Sequence, residues 1–220
     1  MVDEPKIQNA FVLPNGQIFV FSGILQMCEN DDQIGNILAH EMAHCVLGHG
    51  AELLSHGQLL DMLFLSVIVM IWTLFPTDIT AAIAHFFMSK VTDLTIDLPY
   101  SRTLETEADL VGLQLAAKAC FDVREAVAFW QSMGLNEKVN MQRSGLDVPL
   151  PDHIDYLSTH PRHETRAEYL NSLIPDAIKL REECRCWRLP RKDPRDRVQK
   201  LVQQFELASD PRRNVVRLVV

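Results

Sequence analysis

The chain has 220 residues, 47% of them hydrophobic and 7% aromatic, enough for one globular domain with a sizeable core. The formal net charge is −8, unevenly spread: 10 of the 21 basic and 23 of the 29 acidic residues lie in residues 1–180, so residues 181–220 form a basic tail on an acidic body. No nucleic-acid-binding pattern accompanies that basic charge, which argues against nucleic acid as a partner.

In chain order, Asn15-Gly16 between apolar runs predicts a two-residue β-hairpin. Its second strand, Gln17 to Ser22, is expected beside a cleft, where an exposed edge can take an extended peptide by β-addition. An ordinary hairpin covering a helix is the alternative reading.

The next element holds the most informative residues. Asn30, Asp31 and Asp32 are N-cap candidates, and Gly48 and Gly50 offer a stop. Between them Ile34, Ile37, Leu38, Ala39, Met42, Cys45, Val46 and Leu47 predict a helix buried on nearly every side. Inside it stands His40-Glu41-Met42-Ala43-His44. Positions i and i+4 share a helix face, so His40 and His44 aim two imidazoles at one point, as two ligands of a single zinc ion must. Glu41 sits about 100° round the helix, where its carboxylate can reach a water on the metal as a general base without being a ligand. Two imidazoles and a carboxylate are costly to bury without a partner, and a metal supplies one.

Leu59 to Phe75 is apolar apart from Asp61 and ends at Pro76; Ile79 to Met88 is a second, shorter apolar stretch. A membrane span needs about 20 residues. A single crossing would put His44 and whatever ligand follows on opposite sides of a bilayer, so the chain must return through Ile79 to Val91. The expectation is a membrane-apposed or partly embedded helical hairpin over residues 59–91, with a solvent-shielded core pair as the competing reading.

Catalytic zinc usually has three protein ligands and an open position. A second helix is expected after Pro99-Tyr100-Ser101, and in it Glu105 and Asp109 share a face with Ala108, Gly112, Ala116 and Ala119. Small residues there permit close approach to the zinc helix, bringing Glu105 to the metal and Asp109 to the far N–H of a ligand histidine. Glu107 points roughly 160° away from that pair. Asp93, Asp97 and His85 are rival third ligands.

Asp122-Val123-Arg124-Glu125 has the form of a capping box, followed by an apolar stripe of Ala126, Phe129, Trp130 and Met133 that reads as core without chemistry. Of five cysteines, Cys45 and Cys120 fall in apolar helices and are expected to be reduced core residues. Cys184-Arg185-Cys186 is an isolated candidate metal or redox pair. The basic tail can dock on anionic lipid, each basic residue near the surface contributing about 1 kcal/mol, or can pair with the acidic body. No targeting segment is visible at Met1, and Met1-Val2-Asp3-Glu4 reads as a domain start, which leaves room for an upstream targeting region and says little about compartment.

Four blocks together resemble the M48 (Ste24/HtpX-like) zinc metallopeptidases: Asn9 to Gly23, His40 to His44, Ser101-Arg102 with Glu105-x-x-x-Asp109, and Thr159-His160-Pro161 with Arg166. The resemblance covers about residues 7 to 175. It implies a mainly α domain with a small β-hairpin or sheet (α+β), zincin-like, over residues 1–180, with residues 181–220 as an extension. It implies one Zn²⁺ per chain on His40, His44 and Glu105, Glu41 as general base, and His160 donating to the tetrahedral oxyanion. Asp109 and Arg166 support the ligands; Tyr156 and Tyr100 are alternative oxyanion donors. Pro99 to Arg102, Leu113 to Cys120 and Leu157 to Pro161 are similar to the family's stress-activated branch in the mitochondrial inner membrane, whose activity overlaps that of the AAA proteases there. That likeness implies cleavage of membrane-anchored or misfolded proteins, notably the dynamin-like GTPase of inner-membrane fusion, and leaves room for a homo-oligomer. A general HtpX-like quality-control protease and a non-catalytic, membrane-associated zinc scaffold are the alternatives. A prenyl-peptidase of the same family would need more spans than this chain has room for.

Overall fold

A computed structural model describes residues 1–74, 98–144 and 166–209. Strands β1 (Ala10–Val12) and β2 (Ile18–Val20) pair antiparallel in the register Ala10 to Val20, Phe11 to Phe19 and Val12 to Ile18. The hairpin differs from the expected two-residue turn. Pro14 has no N–H to close a pair with Gln17, so Leu13 does so instead, donating to the Gln17 carbonyl at 2.9 Å. The loop is then Pro14-Asn15-Gly16, with Gly16 at φ +84° in the left-handed region that a three-residue loop needs. The strand packed more closely against the metal-motif helix is β1 rather than β2. Beside β2 runs the N-terminus: Val2 donates to the Val20 carbonyl at 2.8 Å and accepts from Ser22 N at 2.9 Å.

Helices carry the rest of the described core. After the short α1 (Ser22–Met27), α2 (Asp31–Leu47) starts on Asn30, whose side chain accepts from Gln33 N at 3.0 Å. It ends on Gly48 at φ +75°, a left-handed cap that a side chain would strain. Then come α3 (His49–Leu74), α4 (Leu98–Lys118), α5 (Arg124–Ser144), α6 (Arg166–Glu183) and α7 (Pro194–Ser209). Helix α4 lies along α2, α6 lies on α4, and α5 packs on α2, α6 and α7. The mainly α architecture with one small sheet is the one expected.

Small residues set the α2–α4 spacing. A Cβ at Gly112 would stand 2.8 Å from the Cα of His40, so the two backbones touch where the metal motif sits. Ala108 and Ala116 are fully buried on the same face, whereas Ala119 lies at the helix end and is exposed. Ala39, Leu113, Ala116, Val127, Leu170 and Ile174 form the main apolar core between α2, α4, α5 and α6. A second cluster of Ala10, Ile24, Ile37, Phe129 and Met133 joins the hairpin to α2 and α5.

Three expectations are corrected here. Helix α2 is buried or half-buried from Asp32 to Glu41, where α4, α5 and the hairpin pack on it, but at its C-terminal end Met42, Cys45, Val46 and Leu47 are exposed. Cys120 is not reduced; it forms a disulfide with Cys186, which also removes the Cys184–Cys186 pair and leaves Cys184 free and exposed. Cys120 adopts φ +68° just past α4, turning the chain out toward the tail. The capping box at Asp122 does not close either. Asp32 of α2 accepts from Asp122 N at 2.9 Å, and the Glu125 carboxylate instead takes bonds from Asn30 (2.9 Å) and Gln33 (2.8 Å). These long-range bonds tie the starts of α2 and α5 together, and burial raises the pKa of Glu125.

Residue 181 falls inside the last turn of α6. Arg181 donates to the carbonyls of Cys120 (2.6 Å), Phe121 (2.7 Å) and Trp187 (3.1 Å), anchoring the tail's first loop. Farther on, Arg197 pairs with Glu29 and Arg195 with Asp193, so part of the basic charge is used on the protein's own carboxylates. Helix α3 behaves differently. Residues His49 to Met70 are long and apolar enough to cross a membrane, and beyond the buried His49 their apolar stretch is not buried in the protein. The second apolar stretch, 79–91, lies outside the described residues, as do Asp93, Asp97, His85, Tyr156 and His160.

Candidate metal centre

One face of α2 and one face of α4 supply the centre. His40 and His44 are one turn apart on α2, and their Nε2 atoms are 3.1 Å apart. Across from them, Glu105 of α4 places Oε2 3.4 Å from His40 Nε2 and Oε1 3.3 Å from His44 Nε2. Ligands of a tetrahedral ion with bonds near 2.0–2.1 Å stand about 3.3 Å from one another. The three side chains therefore fit a zinc-sized ion, and two neutral imidazoles with one carboxylate are a donor set such an ion accepts. Glu105 is thus the third member of the group, at the position its face with Asp109 predicted.

The outer partners orient the rings. His40 Nδ1 lies 3.1 Å from Asp109 Oδ1, so with Nε2 toward the centre its other nitrogen donates to that carboxylate. Arg166, at the start of α6, reaches over both acids: Nη1 donates to Glu105 Oε2 at 2.9 Å and Nη2 to Asp109 Oδ1 at 2.6 Å. Its guanidinium stacks 3.9 Å above the Trp130 ring. Helix α5 therefore does touch the site, contrary to the expectation of a stripe without chemistry; a planar cation over an indole is both held in place and stabilised. All three charged partners are buried, and their pairing offsets the desolvation that burial imposes.

The titration shifts follow from this packing. Burial works against a charged His40 ring, but the bonds to Asp109 and Glu105 outweigh it and raise its pKa. Burial works against the Asp109 carboxylate too, and the Arg166 charge and the bond from His40 overcome it and lower its pKa. Glu41 lies on α2 beside His40 and is fully buried. One further residue belongs to the centre and was not anticipated. His49, buried at the first position of α3, sets its Nδ1 2.8 Å from His44 Nδ1. The signal in the sequence was Gly48, whose left-handed turn brings the next side chain back under the helix it has just ended.

A family model described as Peptidase family M48 matches residues 1–174. The chain is 48% identical over 195 residues to the mitochondrial metalloendopeptidase OMA1 of Bos taurus, across 89% of this chain and 36% of that protein. To the Homo sapiens protein of the same name it is 46% identical, with the same two coverages. To the mitochondrial metalloendopeptidase OMA1 of Saccharomyces cerevisiae it is 36% identical, over 84% of this chain and 49% of that one. The chain thus spans between a third and a half of the length of these curated relatives.

Proposed function

The chain belongs to peptidase family M48, and we propose that it is a metalloendopeptidase using one zinc ion held by His40, His44 and Glu105. The observation that carries this reading is the convergence of three ligand side chains, with the His40 and His44 Nε2 atoms 3.1 Å apart, one Glu105 oxygen 3.4 Å from the first and the other 3.3 Å from the second, and a buried glutamate between the two histidines in sequence. Bound zinc would polarise the scissile carbonyl and bring a water's pKa toward about 7. With the ion in place, Glu41 would serve as the base that takes a proton from the attacking water and returns it to the leaving amine. Asp109 keeps His40 in the tautomer that presents Nε2, and Arg166 holds Glu105 and Asp109 in register. His160, by its family motif, donates to the developing oxyanion.

Substrates on this reading are extended segments of membrane-anchored or misfolded proteins. Docking of an extended segment by main-chain hydrogen bonds falls to β1, since Val2 already bonds along β2 and β1 is the strand packed more closely on the metal helix. The exposed apolar length of α3 supports apposition to a bilayer, the relatives' names support a mitochondrial site of action, and the resemblance above suggests the inner membrane. The dynamin-like fusion GTPase is the substrate that resemblance suggests.

The test is metal analysis together with proteolysis. Purified protein should carry one zinc per chain, cut casein and a membrane-tethered peptide, stop when treated with phenanthroline and recover on added zinc. Chelator-insensitive cleavage would remove the metal from the reaction; stoichiometric zinc without any cleavage would make the chain a scaffold.

A further inference from the structure

Asp109 accounts for the outer nitrogen of His40, and the outer nitrogen of His44 has a different neighbour. That nitrogen, Nδ1, faces His49 Nδ1 at 2.8 Å, and the rings meet nearly edge to face at 74°. One of two nitrogens so close must carry a proton and the other must not. With His44 Nε2 turned to Glu105 and His40, its proton sits on Nδ1, so His49 is the acceptor and its own proton is on Nε2. His49 Nε2 is buried, has no hydrogen-bond partner in the structure, and lies 3.5 Å from Glu107 Oε2. A buried N–H with a single carboxylate in reach is a donor awaiting that carboxylate.

From this geometry we infer that His49 is a positioning residue for the metal centre: it accepts the Nδ1–H of His44, fixes His44 with Nε2 toward the ion, and is itself oriented by Glu107. The inference rests on the zinc reading of His40, His44 and Glu105. It gives each ligand histidine its own outer partner, Asp109 on one side and His49 with Glu107 on the other. Both acids come from α4, within one turn or so after Glu105, so a single helix supplies a ligand and the supports for two more. Glu107, which points away from Glu105 and Asp109, thereby has a role that its direction alone did not suggest. His49 is not a fourth ligand, since it meets His44 on the nitrogen remote from Glu105 and His40.

The experiment is Zn²⁺ affinity by chelator competition on the whole chain, with Co²⁺ absorption as a second readout. Outer partners of metal-bound histidines typically contribute roughly ten- to a hundredfold in affinity. His49→Ala should weaken Zn²⁺ by about that factor and alter the Co²⁺ bands. His49→Asn, whose amide oxygen can accept the same proton, should restore most of the affinity, and Glu107→Gln should weaken it by only a few-fold. The thermal midpoint of metal-free His49→Asn should match that of the parent. Parent-like Zn²⁺ affinity in His49→Ala, alongside no binding in His40→Ala, would overturn the role of His49 and leave the zinc site standing. Stoichiometric zinc in His40→Ala would instead remove the site on which the inference rests. Should His49→Ala not fold, imidazole ¹⁵N shifts of the zinc-loaded parent decide the matter: His44 protonated at Nδ1 is expected, and metal on Nδ1 of His44 would defeat the proposal.

Discussion

Helices α3 and α4 are two long helices that follow the metal motif along the chain, and they invert the usual relation of composition to burial. Helix α4 carries Arg102, Glu105, Glu107 and Asp109 within two turns, yet Glu105 and Asp109 are among the buried residues of the protein. Helix α3 is far more apolar, yet Leu59, Met62, Leu65, Val69 and Met70 are all exposed. What separates them is what each has to pack against. Ala108, Gly112 and Ala116 let α4 sit directly on the α2 backbone, and Arg166 and His40 pair its acids. Nothing among the described residues covers the outer face of α3. In this chain an apolar run marks a surface, and a polar helix marks the core of the site.

The largest effects should come from breaking the α2–α4 side. His40→Ala removes one corner of the ligand triangle and should abolish both zinc binding and cleavage, read by metal analysis and a casein assay. Glu41→Gln keeps the ligands and removes the base, so zinc should remain at one per chain while hydrolysis falls by roughly a hundred- to ten-thousandfold. Wild-type cleavage by the glutamine variant would take Glu41 out of the mechanism.

Effects on stability come next. Cys120→Ser opens a link that joins residues 66 apart at the far end of α4, and should cost about 2–4 kcal/mol of unfolding free energy. Gly112→Ala puts a methyl 2.8 Å from a backbone atom of His40, so α4 must back away. A cost of about 1–3 kcal/mol is expected from the overpacking. Zinc should weaken at the same time, because Glu105 moves with the helix. A drop in thermal stability with unchanged zinc affinity would show that the two helices can separate without opening the ligand triangle.

How far the sequence exposed this arrangement depended on whether the signal was local. His40, Glu41 and His44 needed only helix periodicity, and Asn30 and Gly48 bounded the helix as read. Glu105 and Asp109 were legible because a shared face and a run of small residues imply a close neighbour. The supports from elsewhere were not. Trp130 under Arg166 and the Cys120–Cys186 link depend on how distant helices dock, which no local pattern encodes. The burial of α2 was misread for the same reason: periodicity cannot say that the last turns of an apolar helix will meet no partner. His49 lay nearer to hand, since a glycine at a helix end followed at once by a histidine is a short-range signal.

The smallest change in folding should come from the other side of the comparison, and it carries the most information about α3. Leu59→Gln, Met62→Gln and Leu65→Gln replace side chains that touch little protein. Surface substitutions of this kind usually change stability by no more than about 0.5 kcal/mol each. If the face lies against lipid, each lost side chain forfeits about 1.5–3 kcal/mol of burial on the bilayer. The triple variant should then lose binding to cardiolipin-containing vesicles by roughly two orders of magnitude or more, while its thermal midpoint and its cleavage of soluble casein stay near those of the parent. A marked fall in the midpoint would reverse the reading, because it would mean that protein, and not a bilayer, normally covers α3. The result would then bring α3 into line with α4, as a second helix whose burial is decided by a protein neighbour.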